Sequence, residues 1–317
     1  MDKQANSGVA TASEKRKRPL SRHLIHLFLL PALVFYIGFM VYPIATALLN
    51  SFFSWKGLLR NEFIGLDNFI RLFTESPYKE TFRNALGHNV MIFVVTVPMK
   101  LMVAYALAVI LHSRLKGKEF FKTVFFLPKL LSVIVVGYLF SLILNPTYGA
   151  LNTFLETIGL AELAKPWLGD PDTALFAIIA INSWYGFGFA VLIFLVGLQS
   201  ISSEIYDAAK IDRATGWTML FRITIPLSMP SIMIMTTLTF IGSFESFEMI
   251  FALQGTSGGP YYSTDVLALY FYRLMFGSLG GGDSIGLGSA LAVVLLLLIS
   301  LATAVSMLFF KRKRVDY

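Results

Sequence analysis

Long charge-poor apolar runs, rather than strand-like alternation, dominate the pattern of this chain. Runs at 27–55, 90–99 continued by 101–111, 130–155, 173–203, 223–244 and 285–310 are each long enough to cross a bilayer. A helix needs about 20 apolar residues to do so. The pattern therefore predicts six membrane-spanning helices and an all-α integral membrane protein. Pro43 and Pro146, with the polar residues beside them, are expected near the water interface. The basic stretch before the first run and the small residues Ala45-Thr46-Ala47 imitate a cleavable secretory signal. The run is too long for that, since a signal's apolar region has about 7–15 residues. It reads as a retained first span.

Between the runs the polar positions are patterned as well. The segment 56–83 holds Gly57, Gly65 and Pro77 among mixed charges and Phe63, Phe69 and Phe73, and reads as an ordered external cap. In 145–171, Asn152 is expected to cap a short helix whose face Phe154, Leu155, Ile158 and Leu160 lies on the membrane surface. The segment 201–229 is too polar to span. Ser202 or Ser203 can cap a helix with Glu204 and Asp207 in its first turn, and Ile205, Ala208 and Ala209 share a face. Thr215 and Gly216 break the pattern, and Trp217, Leu220 and Phe221 open a second helix. Pro226 and Pro230 suit the first turn of the next span. The expectation is a helix–turn–helix at the cytoplasmic face.

Composition agrees with lipid as solvent: 56% of the 317 residues are hydrophobic and 14% charged, against roughly 25% charged in a soluble domain. There is no cysteine, and His23, His26, His88 and His112 are scattered, so thiol chemistry is excluded and no metal site is expected. The net charge of +7 invites a nucleic-acid reading, but its placement argues for topology. With the N-terminus inside, 17 of the 26 Lys and Arg fall on the inner side: Lys3, Lys15, Arg16, Lys17, Arg18, Arg22, Arg114, Lys116, Lys118, Lys122, Lys210, Arg213, Arg222 and the run 311–314. Both termini are expected to be cytoplasmic, and no nucleic-acid partner is expected. The organisation is then a basic tail at 1–22, a first span with external loop at 23–83, a core of five spans at 84–310 and a basic end at 311–317.

The residues YDAAKIDRATGWTMLFRITIPLSMP, at 206–230, resemble the EAA loop of binding-protein-dependent ABC importer permeases, in particular the maltose-type carbohydrate-uptake group. The elements of the pattern are Asp207-Ala208-Ala209, Asp212-Arg213-Ala214, Trp217 and Ile223-Thr224-Ile225-Pro226. FFKTVFFLPKLLS, NPTYGALN, WLGDP, QGTSGGPYYSTDVLALYFYRLMF and the opening LPALVFYIGFMVYPIATALLNSFFSW extend the resemblance over nearly the whole chain after residue 22. Asp207 stands where the group has Glu, and Arg213 where it has Gly, so either Gly216 makes the turn instead or the backbone at Arg213 is ordinary helix.

The resemblance implies a type I importer subunit that pairs with a second permease, expected to be a different one. Two ATPase subunits would grip Tyr206, Asp207, Ala208, Ala209, Asp212, Arg213 and Gly216, and an extracytoplasmic binding protein would deliver a sugar or oligosaccharide across a bacterial or archaeal inner membrane. The chain has no G-x-x-x-x-G-K-[ST] loop, so it is not expected to be an enzyme or to bind a cofactor; ATP and Mg would sit on the partners. A G-x-S-x-G match at 282–286 lacks the strand-to-helix context of a hydrolase. Four charges lie within or beside spans: Lys100, Lys129, Glu245 and Glu248. Such charges face a bundle interior or a watery path. Glu245 and Glu248 are expected to share a helix face with Gly242, while Asn182, Trp184, Tyr185 and Phe187 cluster on helix 4 as hydroxyl- and ring-binding groups. Alternatives that stay open are another polar cargo, such as a glycerol-phosphate-type solute or a polyamine, and an ion-coupled carrier working alone.

Overall fold

The computed structural model describes residues 22–113, 116–277 and 284–311. The basic tail at 1–21, Arg114, Gly282 and the end at 312–317 lie outside the described residues. The chain divides into two compact units, one ending at Thr46 and one formed by Ala47–Tyr317.

Helix α1 runs Arg22–Tyr36, passes through a π-helical turn at Ile37–Val41 and continues as Tyr42–Asn50. Pro43 does not mark its end, contrary to expectation. A proline removes the donor to the carbonyl four residues back and crowds it. The π turn immediately ahead, where Tyr42 N–H donates to Ile37 O five residues back, absorbs that mismatch. The same device precedes Pro226, where a π turn at Leu220–Thr224 lets Ile225 N–H donate to Leu220 O.

A hairpin not anticipated in the sequence follows, β1 (Phe53–Lys56) and β2 (Leu59–Phe63), antiparallel with Trp55 opposite Arg60. The helix of the first run thus ends at Asn50, short of the run's end at Trp55. Helix α2 (Asp67–Thr74) carries the buried Asn68, whose amide donates to Ser51 O at 2.9 Å and Phe53 O at 3.0 Å. Gly286 meets this corner so closely that a Cβ there would lie 2.7 Å from Phe53 O. Close packing explains that glycine of the G-x-S-x-G match.

The 35-residue helix α3 (Tyr78–His112) is continuous and begins well before the run at 90. Beyond it, α4 (Lys118–Leu130) and α5 (Val133–Ile143) meet at 94°, so the run at 130–155 is not one span. Pro128 tightens the end of α4 into a 3₁₀ turn, and Leu131 and Ser132 are extended. Uncharged residues hid this break from a hydropathy reading. Helix α6 (Ala150–Thr157) starts at a Gly149 cap, and Asn152 is buried within the helix. Its side chain accepts from Trp167 Nε1 at 2.7 Å and donates to Lys165 O at 3.0 Å, which ties the loop together. It does not cap.

Helix α7 (Pro171–Gln199) is the axis of the larger unit. One buried cluster joins it to Ile92, Val136 and Ile250, and another joins its Ala190, Phe194 and Leu198 to Leu101, Ala104, Ala108 and Met235. Helices α8 (Ser203–Ile211) and α9 (Gly216–Leu227) form the hairpin, and α9 meets α10 (Met229–Phe244) at 67°. The fifth run therefore straightens only from Met229. Helices α11 (Glu248–Gln254), α12 (Leu267–Phe276) and α13 (Ser284–Lys311) complete the described chain. Gly137 lets α11 press on α5, since a Cβ there would lie 2.5 Å from Ala252 Cβ. Among the described residues four helices are long and apolar enough to cross a membrane, or up to six if each bent pair counts as one span.

Candidate functional site: a polar cluster on helix α7 and the α8–α9 hairpin

The expected pathway residues do not all come together. Tyr185 is buried, and its hydroxyl donates to Leu131 O at 3.0 Å, satisfying a carbonyl freed by the α4–α5 break. Lys129 Nζ lies 4.3 Å from the centre of the Tyr185 ring, close enough for a cation–π contact. One residue further, Gly186 faces Lys100, since a Cβ there would lie 3.5 Å from Lys100 Nζ. Glu248 opens the helix whose Met249 and Ile250 pack in the same buried cluster as Tyr185. Four separate segments, α3, the end of α4, α7 and the start of α11, thus bring two ammonium groups, a phenol and a carboxylate to one place.

The aromatic neighbours brace this place. Trp184 is 44% exposed and packs its edge on Phe140, with centroids 5.3 Å apart. Phe187 packs likewise on Phe125 at 5.7 Å. Gly188 explains how α4 can come so near, because a Cβ there would lie 2.0 Å from Phe125 O. Asn182 is half-buried. Glu245 and Glu248 do not share a helix face with Gly242. Helix α10 stops at Phe244, Glu245 caps it, and Glu248 opens α11 after a break. Gly242 is exposed with nothing near its Cβ position. Lys129 was visible in the sequence as an odd charge, but nothing local linked it to Tyr185, 56 positions on.

The hairpin is built by local chemistry. Ser202 caps α8 by accepting from Glu204 N–H at 3.2 Å, as expected of it or Ser203. At the other end Arg213 N–H donates to Lys210 O at 3.0 Å and Ala214 N–H to Ala209 O at 2.9 Å. These two bonds form a Schellman motif, whose turning residue is left-handed and is usually glycine. Here that residue is Arg213, with φ +60°. Gly216 is left-handed too, at φ +54°. The backbone therefore turns at both positions, where the sequence suggested Gly216 alone or a helical Arg213.

Ala209 is buried within the chain, and Tyr206 is half-buried with its ring 6.1 Å from that of His112. The outward face holds Asp207, Ala208 and Asp212, with Ile211 at 83% and Trp217 at 75% exposure. Asp207 is held by Lys210 Nζ at 2.8 Å, both side chains being solvated. Ile211 and Trp217 were not singled out for this face, although a large apolar residue beside a polar cap was a visible signal.

Comparison with known proteins bears on both places. Residues 100–315 match the family described as binding-protein-dependent transport system inner membrane component. The chain is 35% identical over 289 residues to the probable ABC transporter permease protein YurN of Bacillus subtilis, covering 90% of this chain and 95% of the relative. It is 34% identical to the lactose transport system permease protein LacF of Rhizobium radiobacter, covering 79% and 82%. Among solved structures, a chain of the bacterial alginate ABC transporter, crystallised with alginate pentasaccharide-bound periplasmic protein, superposes with TM-score 0.75 at 25% identity, covering 90% of this chain and 92% of that one. With that kinship the ion-coupled carrier reading gives way. The chain belongs to the family of binding-protein-dependent transport system inner membrane components, and it is a multi-pass ABC transporter permease rather than an enzyme.

Proposed function

We propose that this chain is one of two permease subunits of an importer that passes a sugar or oligosaccharide inward. The second permease is a different chain, and an extracytoplasmic binding protein delivers the cargo. Six spans, counting each bent pair once, leave both termini and the α8–α9 hairpin on the cytoplasmic side of a bacterial or archaeal inner membrane. Two ATPase subunits, which hold ATP and Mg, grip the hairpin and drive the spans through it.

The observation that carries this reading is the hairpin itself: capped at both ends, yet presenting Asp207, Ala208, Ile211 and Trp217 outward. A rigid element with exposed apolar groups and a solvated charge suits a cleft on a partner. The lactose permease and the alginate transporter among the similar proteins support a sugar as cargo. The test is purification of the assembled importer with Ala208→Trp, an exposed site where bulk meets only a partner. Binding-protein-stimulated ATP hydrolysis and uptake should fall at least tenfold while solute binding to the isolated binding protein is unchanged. Normal stimulation and uptake would make the hairpin an ordinary connector.

A further inference from the structure

Resting on the sugar-import reading, we infer that the cluster on α7 takes an anionic sugar, with Lys100 and Lys129 as the groups that recognise its negative charge. Their ammonium groups reach adjacent residues of one helix, Lys129 over the Tyr185 ring at 4.3 Å and Lys100 beside Gly186. Neither lysine makes an ion pair among the described residues. No carboxylate pairs with either ammonium there, so ion pairing leaves the positive charge of the two lysines uncompensated.

A charge at membrane depth must face protein or a water-filled path, because exposure to hydrocarbon is strongly unfavourable. Lys129 and Glu248 are both exposed on the surface of this chain, next to the exposed Trp184. Water or cargo at that surface meets them. A lysine ammonium has three donors and no acceptor, so it binds a neutral hydroxyl no better than water does, whereas a carboxylate gains a charge-assisted bond. The exposed Trp184 ring supplies an apolar face for the pyranose body. A uronate is the simplest sugar with both features.

The test uses the complete importer in nanodiscs without its binding protein, so that receptor selectivity does not enter. Binding of labelled digalacturonate and of labelled cellobiose is measured by scintillation proximity at low salt. Digalacturonate should bind at least tenfold more tightly than cellobiose. The preference should collapse to threefold or less in Lys100→Gln/Lys129→Gln and return in Lys100→Arg/Lys129→Arg. Equal or tighter binding of cellobiose, with no response to the lysine changes, would overturn the anion assignment and leave sugar import standing. Loss of the second permease from the purified Lys→Gln variants would make the lysines subunit contacts and would also overturn it. If neither disaccharide binds while the importer passes a non-sugar solute, the sugar reading fails and takes this inference with it.

Discussion

The α8–α9 hairpin and the polar cluster on α7 are built in opposite ways. Among the described residues the hydrogen bonds that shape the hairpin span five residues or fewer: the Ser202 cap, the Asp207–Lys210 pair and the two bonds that close the helix at Arg213 and Ala214. The cluster on α7 draws its groups from positions 100, 129, 185 and 248 and depends on a 94° break to bring Lys129 to Tyr185. A locally encoded element keeps its shape while partners come and go, which suits a coupling lever. A site assembled from several spans changes whenever those spans move, which suits a path that must open and close.

The sharpest way to break this contrast is to remove a long-range tie and see how much the larger unit depends on it. Asp265 and Arg273 are both buried and form a two-pronged ion pair, one prong at 2.8 Å, under the rings of Tyr262 and Tyr270. Nearby, His88 Nδ1 meets Asp265 O at 2.7 Å, and the buried Asn89 accepts from Leu267 N–H at 2.9 Å, binding this loop to α3. Removing one partner of such a pair leaves an uncompensated buried charge and costs about 3–5 kcal/mol. Asp265→Ala should therefore markedly lower the thermal midpoint of the purified protein in detergent. A midpoint unchanged within a degree would show that the clasp is not what holds α12 to α3.

Next in size is the contact that seats α4 on α7. At Gly188 an added methyl group meets backbone, Phe125 O at 2.0 Å, so the helices must separate. Overpacking of this kind costs about 1–3 kcal/mol. Gly188→Ala should destabilise the protein and pull Lys129 from Tyr185. Gly186→Ala, with its nearest neighbour at 3.5 Å, should be tolerated. Equal effects of the two changes would remove the close approach as the cause.

These two regions also mark what could be read from the sequence. Capping chemistry is local, so Ser202, the break at Thr215-Gly216 and the second helix from Trp217 were legible. Apolar runs were legible too: they found α7, α10 and α13 to within about two turns of their ends, while α3 starts at Tyr78, well ahead of its run at 90. Hydropathy is blind to direction, however. The bends at Leu131-Ser132 and near Ser228 contain no charge to mark them, and Glu245 and Glu248 looked like helical neighbours because nothing local signals that α10 stops at Phe244. Pro43 misled for a related reason: a π turn let the helix pass through it.

On the local side the expected effects are smaller and of both signs. Arg213 holds a left-handed conformation that costs a side chain about 1 kcal/mol or more. Arg213→Gly should stabilise the hairpin by about 1 kcal/mol, partly offset by glycine's freedom in the unfolded chain. Slower hydrogen exchange of the amides at 212–214 would register it. Ser202→Ala should cost about 1 kcal/mol and speed exchange at the start of α8. If Arg213→Gly left exchange unchanged but altered coupling, the arginine would be serving a partner rather than the turn.

The smallest effect on stability is expected at Asp207, and that smallness is informative. Its partner Lys210 lies at 2.8 Å, but the two side chains are 68% and 64% exposed, and exposed pairs at this spacing contribute only about 0.3–0.5 kcal/mol. Asp207→Asn keeps the size and most of the hydrogen bonding while removing the charge. The thermal midpoint and the exchange of α8 should be indistinguishable from the parent protein. ATP hydrolysis stimulated by the binding protein, measured in the assembled importer, should nevertheless fall several-fold. Such a loss without any loss of fold can come only from the face that Asp207 presents outward, because the bond it makes inward is too weak to account for it. If stability and coupling fell together, Asp207 would belong to the hairpin's own architecture, and the division between a self-sufficient lever and an assembled path would have to be redrawn.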